Sequence, residues 1–223
     1  MLKRNRRKGS GGSRERVSLD EQIEDAGIVA FDFDGTLTVT DSFTAFLKWR
    51  VSPLRWRIGM IRLIPAALAY LGHRSRGRIK AAAAREFLSG VPRETLEAEA
   101  RAFAEFAAPK LLRPDALRTW RRWDQRRAKL VIVTASPEIV VAPFARGLGA
   151  DLLLGTELAF DEKDRVTGAF AGPNCRGAEK VRRLQAVFGP EVRLQAAYGD
   201  TSGDTEMLAI ADEADYRVFT EKP

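Results

Sequence analysis

Short apolar runs that stop abruptly at hydroxyl or carboxylate residues constrain this chain more than any other feature. Gly27-Ile28-Val29-Ala30-Phe31 passes directly into Asp32-Phe33-Asp34-Gly35-Thr36. Leu130-Val131-Ile132-Val133 ends at Thr134-Ala135-Ser136-Pro137, and the run from Arg193 to Tyr198 ends at Gly199-Asp200. Asp151-Leu152-Leu153-Leu154 and a short final run from Tyr216 to Phe219 complete the set. Unbroken apolar runs of this length, bounded by turn residues, read as strands buried on both faces. Between them lie stretches long enough to cross back over a sheet, namely Ile139 to Gly147, Ala178 to Phe188 and Thr205 to Ala211. The alternation predicts an α/β fold with a doubly wound, Rossmann-like parallel sheet. Such sheets hold ligands at the carboxyl ends of their strands, where Asp32, Asp34, Thr134, Ser136, Asp200 and Asp204 collect.

About one hundred residues separate Asp34 from Thr134, too many for a structureless connection. Helical periodicity at Arg78 to Leu88, Arg93 to Ala107 and Pro114 to Ala128 makes this stretch an all-helical cap inserted after the first strand. The expected division is a disordered basic tail over 1–18, a catalytic core over 19–41 and 128–223, and a cap over 42–127. Leu158 to Ala171 reads as a hairpin beside the main sheet.

Charge is unevenly distributed along the chain. Residues 1–16 hold seven basic side chains and one acid; Val17 to Asp41 holds seven acids and no Lys or Arg; Ser42 to Arg85 holds ten Lys or Arg and no acid. A basic insert attracts phosphate-bearing partners, whether nucleic acid, anionic lipid or a phosphorylated small molecule, and charge alone does not choose among them. No strong nucleic-acid signal accompanies it. Inside the insert, Ile58 to Leu71 is largely apolar but shorter than the ~20 residues that span a bilayer. Flanked by Trp49, Trp56, Tyr70 and four arginines, it suits either a membrane interface or an ordinary cap helix burying one face. The single cysteine, Cys175, forms no internal disulfide, which points to a reducing cytoplasm. The basic cap and tail add peripheral contact with the inner face of the membrane.

The residues at the strand ends carry a definite chemistry. Asp32 and Asp34 stand two apart on a turn that Gly35 permits. One carboxylate can attack phosphorus when a cation screens the charge, and the other can exchange protons with the leaving group and with water. A calcium-binding loop would need an acid where Ala30 stands, and a plain acidic turn after a strand is the simpler competitor. Thr134 and Ser136 offer hydroxyls for phosphoryl oxygens, and Lys180 offers a neutralising cation. Asp200 and Asp204, four apart after a strand, suit Mg²⁺ held by oxygen.

The order Asp-x-Asp-Gly-Thr, strand-end Thr, Lys and Gly-Asp-x-x-x-Asp resembles the four motifs of haloacid dehalogenase phosphatases from about Gly27 onward. The helical insert resembles the phosphoserine phosphatase-like branch. The resemblance implies Asp32 as nucleophile and Asp34 as acid and base, with Thr134 and Lys180 on the phosphoryl group. It implies Mg²⁺ held by Asp32, the Asp34 carbonyl and Asp200, with Asp204 in support. Asp41 falls where that branch reads a substrate amino group. Gly203 and Ala135-Ser136-Pro137 depart from the phosphoserine pattern, and Phe87-Leu88-Ser89-Gly90, Thr134-Ala135-Ser136-Pro137 and Asn174-Cys175-x-Gly-x-Glu-Lys180 resemble the phosphatidylglycerophosphatase C type more closely. The expectation is a Mg²⁺-dependent phosphomonoesterase acting on a phospholipid headgroup such as phosphatidylglycerophosphate. Phosphoserine or another small metabolite is the alternative substrate. A basic membrane or nucleic-acid adaptor with an inactive core is the non-enzymatic alternative. A phosphoacceptor receiver domain would have neither the insert nor this motif on its first strand.

Overall fold

A computed structural model describes residues 27–73 and 76–223; the basic tail over 1–18 lies outside the described residues. Five strands, β1 (Ile28–Phe31), β2 (Lys129–Pro137), β3 (Leu152–Thr156), β6 (Leu194–Gly199) and β7 (Ala211–Tyr216), form one parallel sheet in the order β3-β2-β1-β6-β7. A separate antiparallel pair, β4 (Leu158–Phe160) and β5 (Val166–Phe170), makes the expected hairpin. The central strand β1 pairs on both sides, Phe31 opposite Ile132 and Tyr198. Val29, Ala30 and Phe31 are therefore fully buried, as their unbroken apolar run requires.

Strand order reverses beside β1, since the chain leaves it for β2 on one side and reaches β6 on the other. That reversal opens a crevice at the strand ends, and Asp32 stands at its base. The helices α7 (Glu138–Leu148), α8 (Ala178–Phe188) and α9 (Thr205–Ala209) return the chain between strands.

Among the described residues, six helices fill the interval between β1 and β2: α1 (Ser42–Arg50), α2 (Pro53–Arg62), α3 (Ile64–His73), α4 (Arg76–Leu88), α5 (Arg93–Leu111) and α6 (Pro114–Gln125). The last of them lies on the sheet. Trp120 packs against Phe31 with ring centroids 4.9 Å apart, and the Trp123 indole N–H donates to the Tyr198 hydroxyl at 2.9 Å. The hairpin meets the insert. Gly90 N–H donates to Val166 O (2.8 Å), Arg93 N–H to Asp164 O (2.9 Å), and the Arg93 guanidinium pairs with the Asp164 carboxylate at 2.8 Å.

One strand departs from the sequence reading. The final strand runs over Ala211–Tyr216 rather than Tyr216 to Phe219, and the helix before it stops at Ala209. An edge strand has one paired side only, and Asp212, Glu213 and Asp215 are the kind of charge that keeps such an edge from pairing with another chain. Its sequence therefore lacks the apolar run that marks a central strand.

Candidate active site

Asp32 ends β1, with its backbone N–H donating to Tyr198 O at 2.9 Å. The turn Phe33–Leu37 follows, in which Asp34 is extended and Gly35 takes φ +87°. A Cβ at Gly35 would overlap the Asp200 carboxylate, so glycine is needed for conformation and for space.

Three carboxylates converge here. Oxygen atoms of Asp32, Asp200 and Asp204 lie within 4.8 Å of one another. Lys180, almost wholly buried, donates to Asp32 Oδ1 (2.6 Å), to Asp204 Oδ1 (2.7 Å) and to Val133 O. Burial pushes the Asp32 carboxyl up to about 7 despite the opposing pull of Lys180. Burial would likewise raise Asp204, but Lys180 and the Thr201 backbone and hydroxyl donors hold it below the usual carboxylate range. Asp200 is raised by burial and by the Asp204 charge. Lys180 is held charged by the same two acids, against the cost of its burial.

The donor set fits a divalent cation. Asp200 Oδ1 is buried without a hydrogen-bond partner, an unusual and costly state for a carboxylate oxygen. The glycine cradle keeps open the space beside it. Hard oxygen ligands of this kind suit Mg²⁺. Asp204 spends Oδ2 on Thr201 N–H (2.9 Å) and Oδ1 on Lys180, so it braces the cluster while Asp200 faces it.

Asp34 belongs to a second set. Its Oδ1 accepts from Ser42 N–H at 2.7 Å and its Oδ2 accepts from the Ser136 hydroxyl. Its carboxylate is absent from the metal-ligating group, so only its backbone carbonyl is left for the implied metal role. Ser136 is fully buried and acts on Asp34, with its Oγ also accepting from Lys80 Nζ at 3.0 Å. The Ser136 hydroxyl, expected at a phosphoryl group, is here turned to the Asp34 carboxylate. Thr134 is equally buried, and its Oγ1 accepts from Ser136 N–H at 3.1 Å. Asp41 caps α1 through Thr44 N–H (2.7 Å) and pairs with Lys80 at 2.9 Å. Its carboxylate, expected to read a substrate amino group, here holds a cation of this chain.

A cavity of about 260 Å³ opens over these residues, walled by Asp32, Asp34, Asp41, Lys180, Asp200 and Asp204 together with Lys80, Asn174 and Arg176. Larger hollows elsewhere carry none of this chemistry. Lys80, on α4, escaped the sequence reading. Burial acts against its charge, but Asp34 and Asp41 hold it protonated. One signal was present: it is the sole lysine between Lys48 and Lys110, inside the acid-free stretch. Arg176, which donates to Thr201 Oγ1 (3.2 Å) and Ser202 Oγ (3.0 Å), was also missed.

A sheet of this order, an insert after its first strand and a buried Asp-Lys-Asp cluster at the reversal point define one class of protein. The chain belongs to the haloacid dehalogenase-like hydrolase family, whose model matches residues 29–209. It is 61% identical over 213 residues to Protein CicA of Caulobacter vibrioides, covering 96% of each chain. Among solved structures, a Bordetella pertussis protein of unknown function superposes with a TM-score of 0.66 at 21% identity, over 82% of this chain and 85% of that one. A substrate-bound phosphoserine phosphatase does so with a TM-score of 0.57 at 17% identity, over 84% of each chain. At those identities the solved structures bear on the fold.

Proposed function

We propose that this chain is a Mg²⁺-dependent phosphomonoester hydrolase that works through a phosphorylated Asp32 on a phosphate carried by a lipid headgroup. The observation that carries this reading is the carboxylate cluster of Asp32, Asp200 and Asp204 tied to buried Lys180 at the floor of the cavity.

An Asp32 oxygen attacks phosphorus; the new O–P bond forms as the ester O–P bond breaks, and the leaving alkoxide takes a proton from Asp34. Water then attacks the same phosphorus and gives a proton to Asp34, releasing inorganic phosphate and restoring Asp32. Lys180 favours the ionised form of Asp32 against the cost of burial and holds it in place, and Ser136 with Ser42 N–H orients Asp34. Mg²⁺ held by Asp32 and Asp200 would screen the phosphoryl oxygens from the attacking carboxylate. Lys80 and Arg176 add positive charge at the mouth. The internal Lys80–Asp41 pair argues for a substrate rich in negative charge over one bearing an ammonium group.

The test is a panel of phosphatidylglycerophosphate, phosphoserine, sugar phosphates and a chromogenic ester, with Mg²⁺, for the wild type and Asp32→Asn. Preference for the lipid, with at least ~10³-fold loss in the variant, is expected. Preference for phosphoserine overturns the lipid assignment and leaves the mechanism standing. Absence of Mg²⁺-dependent turnover on every ester removes the phosphatase reading and favours an adaptor.

A further inference from the structure

The outer face of α2 and α3 inverts the usual arrangement of a cap helix. Leu54, Ile58, Ile61, Ile64 and Leu68 recur at helical spacing, and Leu63 between the two helices keeps near-helical dihedrals (φ −83°, ψ −9°), so the stripe carries on. A stripe like this normally packs inward. Here Leu54 is 67% exposed, Ile61 65%, Ile64 51% and Leu68 62%, with Met60 exposed beside them. The inward side is already filled. Trp56 stacks on Phe87 at 5.2 Å, and a Cβ at Gly59 would overlap the Phe87 ring. The stripe therefore has nothing on this chain to cover it among the described residues.

Charge identifies the occupant. No acid occurs from Ser42 to Arg85. Arg55 and Arg62 reach back to Glu86 at 2.7 and 3.3 Å, while Arg57 is exposed and by helical spacing stands among the stripe residues, three after Leu54 and four before Ile61. No helix among the described residues is long and apolar enough to cross a membrane. An exposed apolar face that carries an arginine and lacks acids matches the interfacial layer of an anionic bilayer. A second copy of the chain fits less well, since a two-fold contact would set one basic face against another.

We propose that α2 and α3 dock this protein on bilayers containing anionic lipid, with Leu54, Ile61, Ile64 and Leu68 entering the headgroup boundary. The two helices pack on α4, which delivers Lys80 to the cavity. Docking would therefore seat the helix that carries Lys80 directly behind the helices on the bilayer. The surface stands independently of the substrate assignment.

The full chain is sedimented with vesicles of equal parts phosphatidylcholine and phosphatidylglycerol, and with phosphatidylcholine alone, for the wild type, Ile61→Glu/Leu68→Glu and the milder Ile61→Ser/Leu68→Ser. Turnover of a soluble chromogenic ester, or circular dichroism if turnover is absent, confirms that each variant is folded. The expected result is binding to the anionic vesicles, weakened at least tenfold by the Glu pair and less by the Ser pair, with unchanged fold. Equal binding by all three proteins would assign membrane contact to the basic tail and overturn the proposal. So would wild-type dimerisation in sedimentation equilibrium that the Glu pair abolishes, or equal binding to both vesicle types.

Discussion

Replacing Lys180 with methionine keeps the length of the side chain and removes its charge, which isolates what the ammonium does. Two carboxylates with almost no solvent access, Asp32 and Asp204, would then face one another without a cation. Removing one partner of a buried ion pair costs about 3–5 kcal/mol. Asp32 offers a way to limit that cost, because its carboxyl already lies at about 7 beside the lysine. In Lys180→Met it moves higher, and at neutral pH it takes up a proton. The expected destabilisation at pH 6 is therefore about 3 kcal/mol, at the low end of the range. A carboxyl raised above its unfolded value binds a proton in the folded state only, so stability falls as pH rises towards the folded pKa. Between pH 7 and the new, higher value the variant loses about 1.4 kcal/mol per pH unit beyond the wild type. Lys180 itself is raised above its ordinary 10.5, so the wild type keeps the lysine's contribution throughout this window. Urea unfolding followed by fluorescence of the buried Trp120 and Trp123, in EDTA at pH 6 and pH 9, measures the difference. Equal losses at both pH values, or losses under about 1 kcal/mol at both, would refute the account of Lys180 as the charge that holds the two acids.

Other substitutions probe the same site. Mg²⁺ should raise the melting temperature of the wild type in calorimetry and leave Asp200→Asn unchanged, because the cation satisfies the partnerless Asp200 oxygen. Gly35→Ala should lose about 2 kcal/mol from its left-handed backbone and its overlap with Asp200, and should lose the Mg²⁺ response as well. Asp41→Asn should cost about 1 kcal/mol at pH 7, a modest figure because the pair is partly solvated. Burial opposes the charge on Asp41, but Lys80 and Thr44 hold its pKa below 3.8. Its contribution is present above that value and is lost as pH falls through the folded pKa, so the difference from wild type in chemical denaturation should shrink as pH is lowered below 3.8. Lys80→Met should raise KM for a strongly anionic substrate about tenfold with a smaller change in kcat, measured by steady-state kinetics.

The parts of the site that chain order alone reveals are those fixed by a strand end. Asp32 and Asp200 close strands whose apolar runs are unmistakable, Asp204 lies one turn beyond, and Lys180 lies early in a helix that crosses the sheet beside them. Lys80 differs in kind. It reaches Asp34 and Asp41 only because α2, α3 and α4 fold back over the crevice, and that depends on packing such as Trp56 on Phe87. No local pattern encodes that path. Ser136 is legible as a strand-end hydroxyl, but its contact with Asp34 is not, because that partner stands more than a hundred positions earlier. The placement of α6 followed from Trp120 and Trp123, whose rings meet Phe31 and Tyr198. Helical periodicity marks such a face as apolar without saying which surface it meets.

The pairing of β5 with the turn after α4 alters what has to travel when the crevice widens. Gly90, Pro92 and Arg93 are stitched by backbone hydrogen bonds to Asp164, Arg165 and Val166. Any outward swing of α4 drags this two-stranded ribbon along, although chain order counts the ribbon with the strands that stay behind. A widening of the crevice would therefore need the backbone to bend on both sides of the ribbon, near Glu157 and Ala171, as well as at the two ends of the helical insert.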